Sequence, residues 1–206
     1  MPPPPKLLLI TPTPLPPDLT HSVTHALTGG PFDLLLRDKS TPDEPMRFIV
    51  RELLPVLHRV GGRLLVHERV ELADKTGADG VHLSEDGPGT IQVRRQLKSG
   101  SLIGRSCHSV ESARKHLLAS GDYVTLSPVF VTMSHPEALP LGLERFASMR
   151  ASIPGAVLAL GGINTENARS VLETNASGIA LIRGVFNASD PAETIGKLLS
   201  IIRQGN

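Results

Sequence analysis

The chain has 206 residues, 40% of them hydrophobic, which is enough for one domain with a sizeable core and no need of disulfides. Its 21 Lys and Arg nearly cancel its 20 Asp and Glu, and it has one Tyr, five Phe and no Trp. This argues against a basic nucleic-acid footprint and against an aromatic platform for single strands. One cysteine, Cys107, leaves no internal disulfide and no cysteine-rich metal site, and suits a reducing cytoplasm.

The chain opens on Met1 and four prolines, without the charged and apolar regions of a signal peptide. Residues 1–5 read as a flexible, proline-rich lead-in, and residues 6–206 as one domain. No run approaches the roughly 18 apolar residues that span a bilayer.

Short, nearly continuous apolar runs then recur at Leu7–Ile10, Phe32–Leu36, Leu64–Val66, Gly80–Leu83, Leu102–Gly104, Tyr123–Leu126, Val157–Leu160 and Ile179–Ile182. Runs of this kind, rather than alternating ones, are the mark of strands buried on both faces of a parallel sheet. Helical segments lie between them: Asp18–Leu27, Asp43–Val60, Arg69–Thr76, Thr90–Lys98, Ser109–Ala119, Leu143–Ala151, Asn164–Glu173 and Asp190–Arg203. Pro45 and Pro55 predict a late start or a kink in the second. Eight alternating units favour a short (β/α)8 barrel over an open, doubly wound sheet.

Such a barrel carries its chemistry at the C-terminal ends of its strands. The residues that follow the runs are polar or ionisable at nearly every repeat. Arg37 and Lys39, two apart on a strand end, suit an anionic ligand group. Glu68, Glu85 and Asp86 are oxygen donors of the type Mg²⁺ takes. His82 sits between Val81 and Leu83 and reads as a core histidine. His108 and His135 fall on rim loops, where an imidazole can give and take protons. Cys107 reads as packing. Gly161 and Gly162 after the seventh strand, with Ile182, Arg183 and Gly184 after the eighth, are candidate phosphate contacts, and Gly162 is where backbone is expected to approach the ligand closely.

The segments GADGVHLSEDG, IGRSCHS, DYVTLSPVFVT, LALGGIN and GIALIRGVF together resemble the thiamine phosphate synthase superfamily, over almost the whole chain. The resemblance implies a short (β/α)8 barrel and two branches of activity. The synthase branch joins hydroxymethylpyrimidine diphosphate to a thiazole phosphate with Mg²⁺. Against its pattern, Arg37, Lys39, Ser106, Thr132 and the Gly161–Gly162 loop are kept. Leu35 stands where the branch has Gln, and His67–Glu68 where it has Asn–Asp. Gly87 takes the place of a metal-binding Asp, and Ser134–His135 that of Thr–Lys. The second branch is the thiazole tautomerase type, which aromatises a thiazole carboxylate phosphate without metal. GRSCHS and GVFNASDP look closer to it, although its acid–base histidine falls on Pro128.

The expectation drawn from this is a cytoplasmic enzyme that binds a thiazole phosphate and moves a proton on it, with His108 and His135 as the catalytic pair. Arg37, Lys39, Ser106, Thr132, Ser134, Gly161, Gly162, Ile182, Arg183 and Gly184 would hold the substrate, and no cofactor would be needed. The first alternative is a thiamine phosphate synthase, with a pyrimidine diphosphate as second substrate and Mg²⁺ on Glu68 and Asp86. The second is a silent binder of thiamine-type phosphates. No nucleic acid or membrane partner is expected, and a homodimer stays open.

Overall fold

The computed structural model of the chain describes residues 2–133 and 137–205. Its strands are β1 (Leu7–Ile10), β2 (Asp33–Leu36), β3 (Leu64–His67), β4 (Gly80–Leu83), β5 (Leu102–Cys107), β6 (Tyr123–Leu126), β7 (Ala156–Leu160) and β8 (Gly178–Leu181). All pair in parallel with their sequence neighbours, and β1 pairs with β8, so the sheet closes into a barrel. The helices are α1 (Leu19–Leu27), α2 (Asp43–His58), α3 (Val70–Thr76), α4 (Thr90–Gln96), α5 (Val110–Leu118), α6 (Gly142–Ala151), α7 (Ala168–Leu172), α8 (Arg183–Phe186) and α9 (Pro191–Gln204).

Alternate residues of each strand serve two cores. Leu8, Ile10, Leu35, Leu65, Leu102, Tyr123, Leu158 and Ala180 fill the barrel interior. Leu9, Leu34, Val66, Val81, Ile103, Val124 and their equivalents meet the helices. Tyr123 fits only because position 104 is glycine, where a Cβ would come 2.2 Å from its ring. At the N-terminal end Asp33 and Arg63 form an ion pair of 2.6 Å. Arg63 also donates to the Pro3 carbonyl, and Pro5 is buried, so the proline segment lies against the barrel.

Four elements differ from the sequence expectation, one of them the short helix α8 directly after β8, where no helix is expected. Helix α2 runs unbroken from Asp43, past both prolines. Pro45 occupies the first turn, where an amide has no partner to lose, and Pro55 lies on the exposed face, where water can serve the carbonyl it frees. Helix α7 begins at Ala168, because Asn164 Oδ1 takes the amides of Glu166 and Asn167 in a turn of its own. Strand β5 continues through Arg105, Ser106 and Cys107, which look like a polar loop in the sequence.

Candidate active site

The C-terminal rim gathers most of the residues singled out from the sequence. After β2, the Arg37 amide donates to Thr11 Oγ1 (2.8 Å) and its carbonyl accepts from the Thr11 and Thr13 hydroxyls (3.1 and 3.2 Å). Asp38 does not neutralise the neighbouring cations. Its carboxylate accepts from Ser40 Oγ (2.6 Å), the Ser40 amide and Thr41 Oγ1, and the Ser40 hydroxyl first holds the carboxyl below its usual range. Arg69 closes the same loop from outside, donating to the carbonyls of Asp38 and Thr41 and pairing with Asp43 at 2.9 Å. Among the described residues neither Arg37 nor Lys39 forms an ion pair, and Arg183, exposed at the start of α8, has neither an ion pair nor a side-chain hydrogen bond. Three cations therefore stand at this rim without carboxylate partners.

Glu68 follows β3 with φ 60°, a left-handed conformation that a non-glycine residue keeps only when its surroundings impose it. Its amide donates to the His82 carbonyl at 3.0 Å, its Oε1 accepts from Ser84 Oγ, and its Oε2 lies 3.7 Å from His67 Nδ1. Burial works against its charge, but the Ser84 hydroxyl, then His67 and Lys39, hold its carboxyl below the ordinary value. Burial drives His67 the other way, down to about 4, so this imidazole is neutral.

Of the β4–α4 loop, Gly87 rather than Asp86 comes against Glu68: a Cβ at position 87 would lie 3.4 Å from Glu68 Oε1. Asp86 is exposed, and Glu85 accepts from the His108 amide at 3.2 Å. No group of three metal-ligating side chains occurs among the described residues. Mg²⁺ is nevertheless commonly held by one or two carboxylates plus substrate phosphates. Glu68, a charged carboxylate among hydroxyl and imidazole neighbours, fits such a one-carboxylate site.

Beneath the rim, His82 Nε2 lies 3.0 Å from Ser106 Oγ and His82 Nδ1 lies 3.0 Å from the Tyr123 hydroxyl. His82 is fully buried, which pushes its pKa well down and keeps it neutral. It is the satisfied core histidine that the sequence suggests, and it also fixes the Ser106 hydroxyl at the barrel mouth. Leu160 and Ile182 pack on the interior cluster and form an apolar floor beside it. His108 is exposed and donates its Nδ1 proton to the Ser127 carbonyl at 2.8 Å. Cys107 points into the outer core, where burial raises its thiol to about 11, so it is packing. Thr132 lies half-buried on the β6–α6 segment. Ser134 and His135 lie outside the described residues.

Gly161 and Gly162 take φ of 103° and 66°. A Cβ on Gly161 would meet Pro128 at 2.8 Å, and one on Gly162 would meet the Val131 carbonyl at 2.6 Å. The amides of Val129 and Phe130 donate to the carbonyls of Leu160 and Gly161. These glycines therefore dock the loop after β7 on the loop after β6. The side of Gly162 on which a Cβ would stand is closed by the Val131 carbonyl.

Arg105 is the residue the sequence reading passed over. It faces outward from β5, is 7% exposed, and donates to the carbonyls of Ser84 (2.7 Å), Glu85 (3.0 Å), Gly87 (3.4 Å) and Pro88 and to His116 Nδ1 (3.4 Å). The signal was there: an arginine inside an apolar strand, on the parity of Ile103 and Cys107, has to bring partners into the core.

A family model described as thiamine monophosphate synthase matches residues 7–185. A thiamine-phosphate synthase of Roseiflexus sp. (strain RS-1) is 37% identical over 185 residues, 89% of this chain and 78% of that one. Another, of Pyrococcus furiosus, is 34% identical over 200 residues and covers 97% of this chain and 95% of its own. Among solved structures, the chain is similar to thiamine phosphate pyrophosphorylase from Pyrococcus furiosus, with a TM-score of 0.87, 32% identity, and 97% and 96% of the two chains covered. It shares its fold alone with 3-hexulose-6-phosphate synthase from Salmonella typhimurium, at a TM-score of 0.74 and 12% identity.

Proposed function

The chain belongs to the thiamine monophosphate synthase family, and we propose on that premise that it is a thiamine-phosphate synthase, which joins hydroxymethylpyrimidine diphosphate to a thiazole phosphate and releases diphosphate. The observation that carries this reading is the rim set of Arg37, Lys39 and Arg183, cations that form no ion pair among the described residues, on a rim that also carries the charged carboxylate of Glu68. Two anionic substrates need such an excess of positive charge, and a single-substrate proton transfer needs less of it. The names of the relatives favour coupling over tautomerisation. The position that would supply the tautomerase acid–base group is Pro128, whose ring has nothing to titrate.

In this reading Arg37 and Lys39 draw the diphosphate to the β2–β4 side of the rim. Arg183, with the backbone of Gly184, holds the thiazole phosphate on the β8 side. Ser106, fixed by His82, presents a hydroxyl at the mouth, and Leu160 and Ile182 give a heteroaromatic ring an apolar floor. Glu68 would hold Mg²⁺, which supplies charge neutralisation to the departing diphosphate. The bond from the pyrimidine methylene to diphosphate breaks as its bond to the thiazole forms, so no residue need carry a covalent intermediate. His108 is then a loop anchor through Ser127 rather than the proton carrier. Coupling is assayed with both substrates and Mg²⁺, beside aromatisation of a thiazole carboxylate phosphate without metal. Thiamine phosphate formed only with both substrates supports the synthase; aromatisation without coupling refutes it.

A further inference from the structure

We propose that Arg105 is a positioning residue of the site: its buried guanidinium gathers the carbonyl oxygens of the β4–α4 loop and so fixes the loop from which Ser84 holds Glu68 and Glu85 holds the start of the β5–α5 loop. The inference rests on the synthase reading for its kinetic consequence and on geometry alone for its structural one.

Four carbonyls, those of Ser84, Glu85, Gly87 and Pro88, converge on one side chain. Four of the six loop residues between β4 and α4 thus offer their carbonyls to one fork. Among the described residues no carboxylate forms an ion pair with that fork, so the loop carbonyls, with the longer-range pull of Asp86, Glu68 and Glu85, offset the burial of the charge. The fork is itself set from behind. His116 Nδ1 accepts from Arg105 Nε and from Thr90 Oγ1 at 2.7 Å, while His116 Nε2 donates to the Ile103 carbonyl at 3.2 Å. Burial holds His116 at about 4, so its Nδ1 stays an acceptor.

The loop hands this order on to the site by two contacts. Ser84 Oγ donates to Glu68 Oε1, and Glu85 Oε1 accepts the amide of His108. The turn itself is closed by the Gly87 amide on the Ser84 carbonyl at 3.1 Å, the same carbonyl that Arg105 binds. With glycine at position 87, the loop's hydrogen bond to Glu68 comes from the Ser84 hydroxyl. Lysine cannot replace this arginine. Its three donors diverge from one point, whereas the guanidinium spans the loop with a planar array.

The test compares wild type with Arg105→Met and Arg105→Lys. Hydrogen exchange should quicken at least tenfold over residues 84–87 in both variants and stay within twofold at residues 161–163. KM for the pyrimidine diphosphate should rise 10- to 100-fold, the range typical when the partner of a metal-binding group is lost, with KM for the thiazole phosphate within twofold. A merely structural arginine would lower the melting temperature and the active fraction and leave this split unmoved. Arg105→Lys keeps charge and stem, so it carries the test if Arg105→Met does not fold. Unchanged exchange over residues 84–87 in a folded variant, or equal changes in both KM values, overturns the proposal. If wild type does not couple the substrates, the synthase reading has failed, and the exchange comparison still decides the role of Arg105.

Discussion

Acid should unfold this barrel earlier than its carboxylates alone would. His67 and His116 sit at about 4 in the folded chain because burial disfavours their charged forms, against an unperturbed 6.5. The unfolded chain therefore binds protons that the folded chain refuses. Stability contributed by each neutral imidazole is intact above about pH 6.5 and is lost as pH falls from there toward 4. Between pH 7 and pH 5 the linkage relation gives about 2 kcal/mol for each of these two groups, so about 4 kcal/mol together. His82, fully buried and also pushed well down, adds to this in the same direction. Asp38, Glu68 and Glu85 do not confuse the window, because their lowered values protect stability until the pH falls below the ordinary carboxylate range. For a chain of this length the loss amounts to roughly 8–16 °C in melting temperature.

Urea titrations at pH 7 and pH 5, followed by circular dichroism, measure the difference directly. Protonating His116 would also set an N–H against the Nε–H of Arg105 and a cation against a cation, so the His116→Gln variant should flatten the pH slope by about a third to a half. Stabilities within 1 kcal/mol of each other at the two pH values would refute the assignment of neutral buried imidazoles.

Two further outcomes follow from the rim. Arg183→Gln removes an exposed charge with no described partner, so it should leave the melting temperature within about 1 °C while raising KM for the thiazole phosphate about 10- to 100-fold, the equivalent of one charge-assisted hydrogen bond. Steady-state kinetics with each substrate varied in turn checks this. Gly162→Val should lower stability by at least about 1–3 kcal/mol, because a β-branched residue is forced to φ 66° and its Cβ into the Val131 carbonyl; thermal unfolding reads the loss.

The barrel was legible because its strands are apolar on both faces, so each announces itself as an unbroken run, and because Gly and Pro punctuate the repeats. Arg37, Lys39 and Arg183 could be placed on one rim from the sequence, since strand ends alone decide that, whereas Ser106 falls inside β5 and not on the loop its polarity suggests. The sequence could not show that Asp38 is spent on Ser40 and Thr41, because that depends on how the six-residue loop between β2 and α2 turns. Arg105 was hidden by the same polarity that marks a loop: a guanidinium in a strand looks like the end of the strand until its carbonyl partners are seen. Gly161 and Gly162 read from the sequence as phosphate contacts, and their fit against Pro128 and Val131, in a loop some 30 residues earlier, is something no local signal names.

A barrel this short has few extra elements to brace its active rim, so the rim loops brace one another. Arg69 holds the loop after β2, Arg105 the loop after β4, His108 the end of β6, and the glycines after β7 lock onto the segment after β6. Removing one tie should therefore disturb the group it serves more than its own strand. The Ser84–Glu68 contact puts this to a sharp test. Ser84→Ala removes the hydroxyl that orients Glu68, and Glu68→Gln removes the charge that hydroxyl serves. If Ser84 acts on the anion site only by way of Glu68, the two losses overlap rather than add. Each single variant should raise the Mg²⁺ concentration for half-maximal coupling about tenfold or more, and the double variant should be hardly worse than Glu68→Gln, a coupling energy of about 1 kcal/mol or more. The Ser84→Ala, Arg183→Gln pair is the control: its members sit on opposite sides of the barrel, and their effects should add within about 0.5 kcal/mol. Strict additivity in the Ser84–Glu68 cycle would mean that Ser84 touches substrate or metal on its own account, and the chain of positioning from Arg105 through Ser84 to Glu68 would break at its last link.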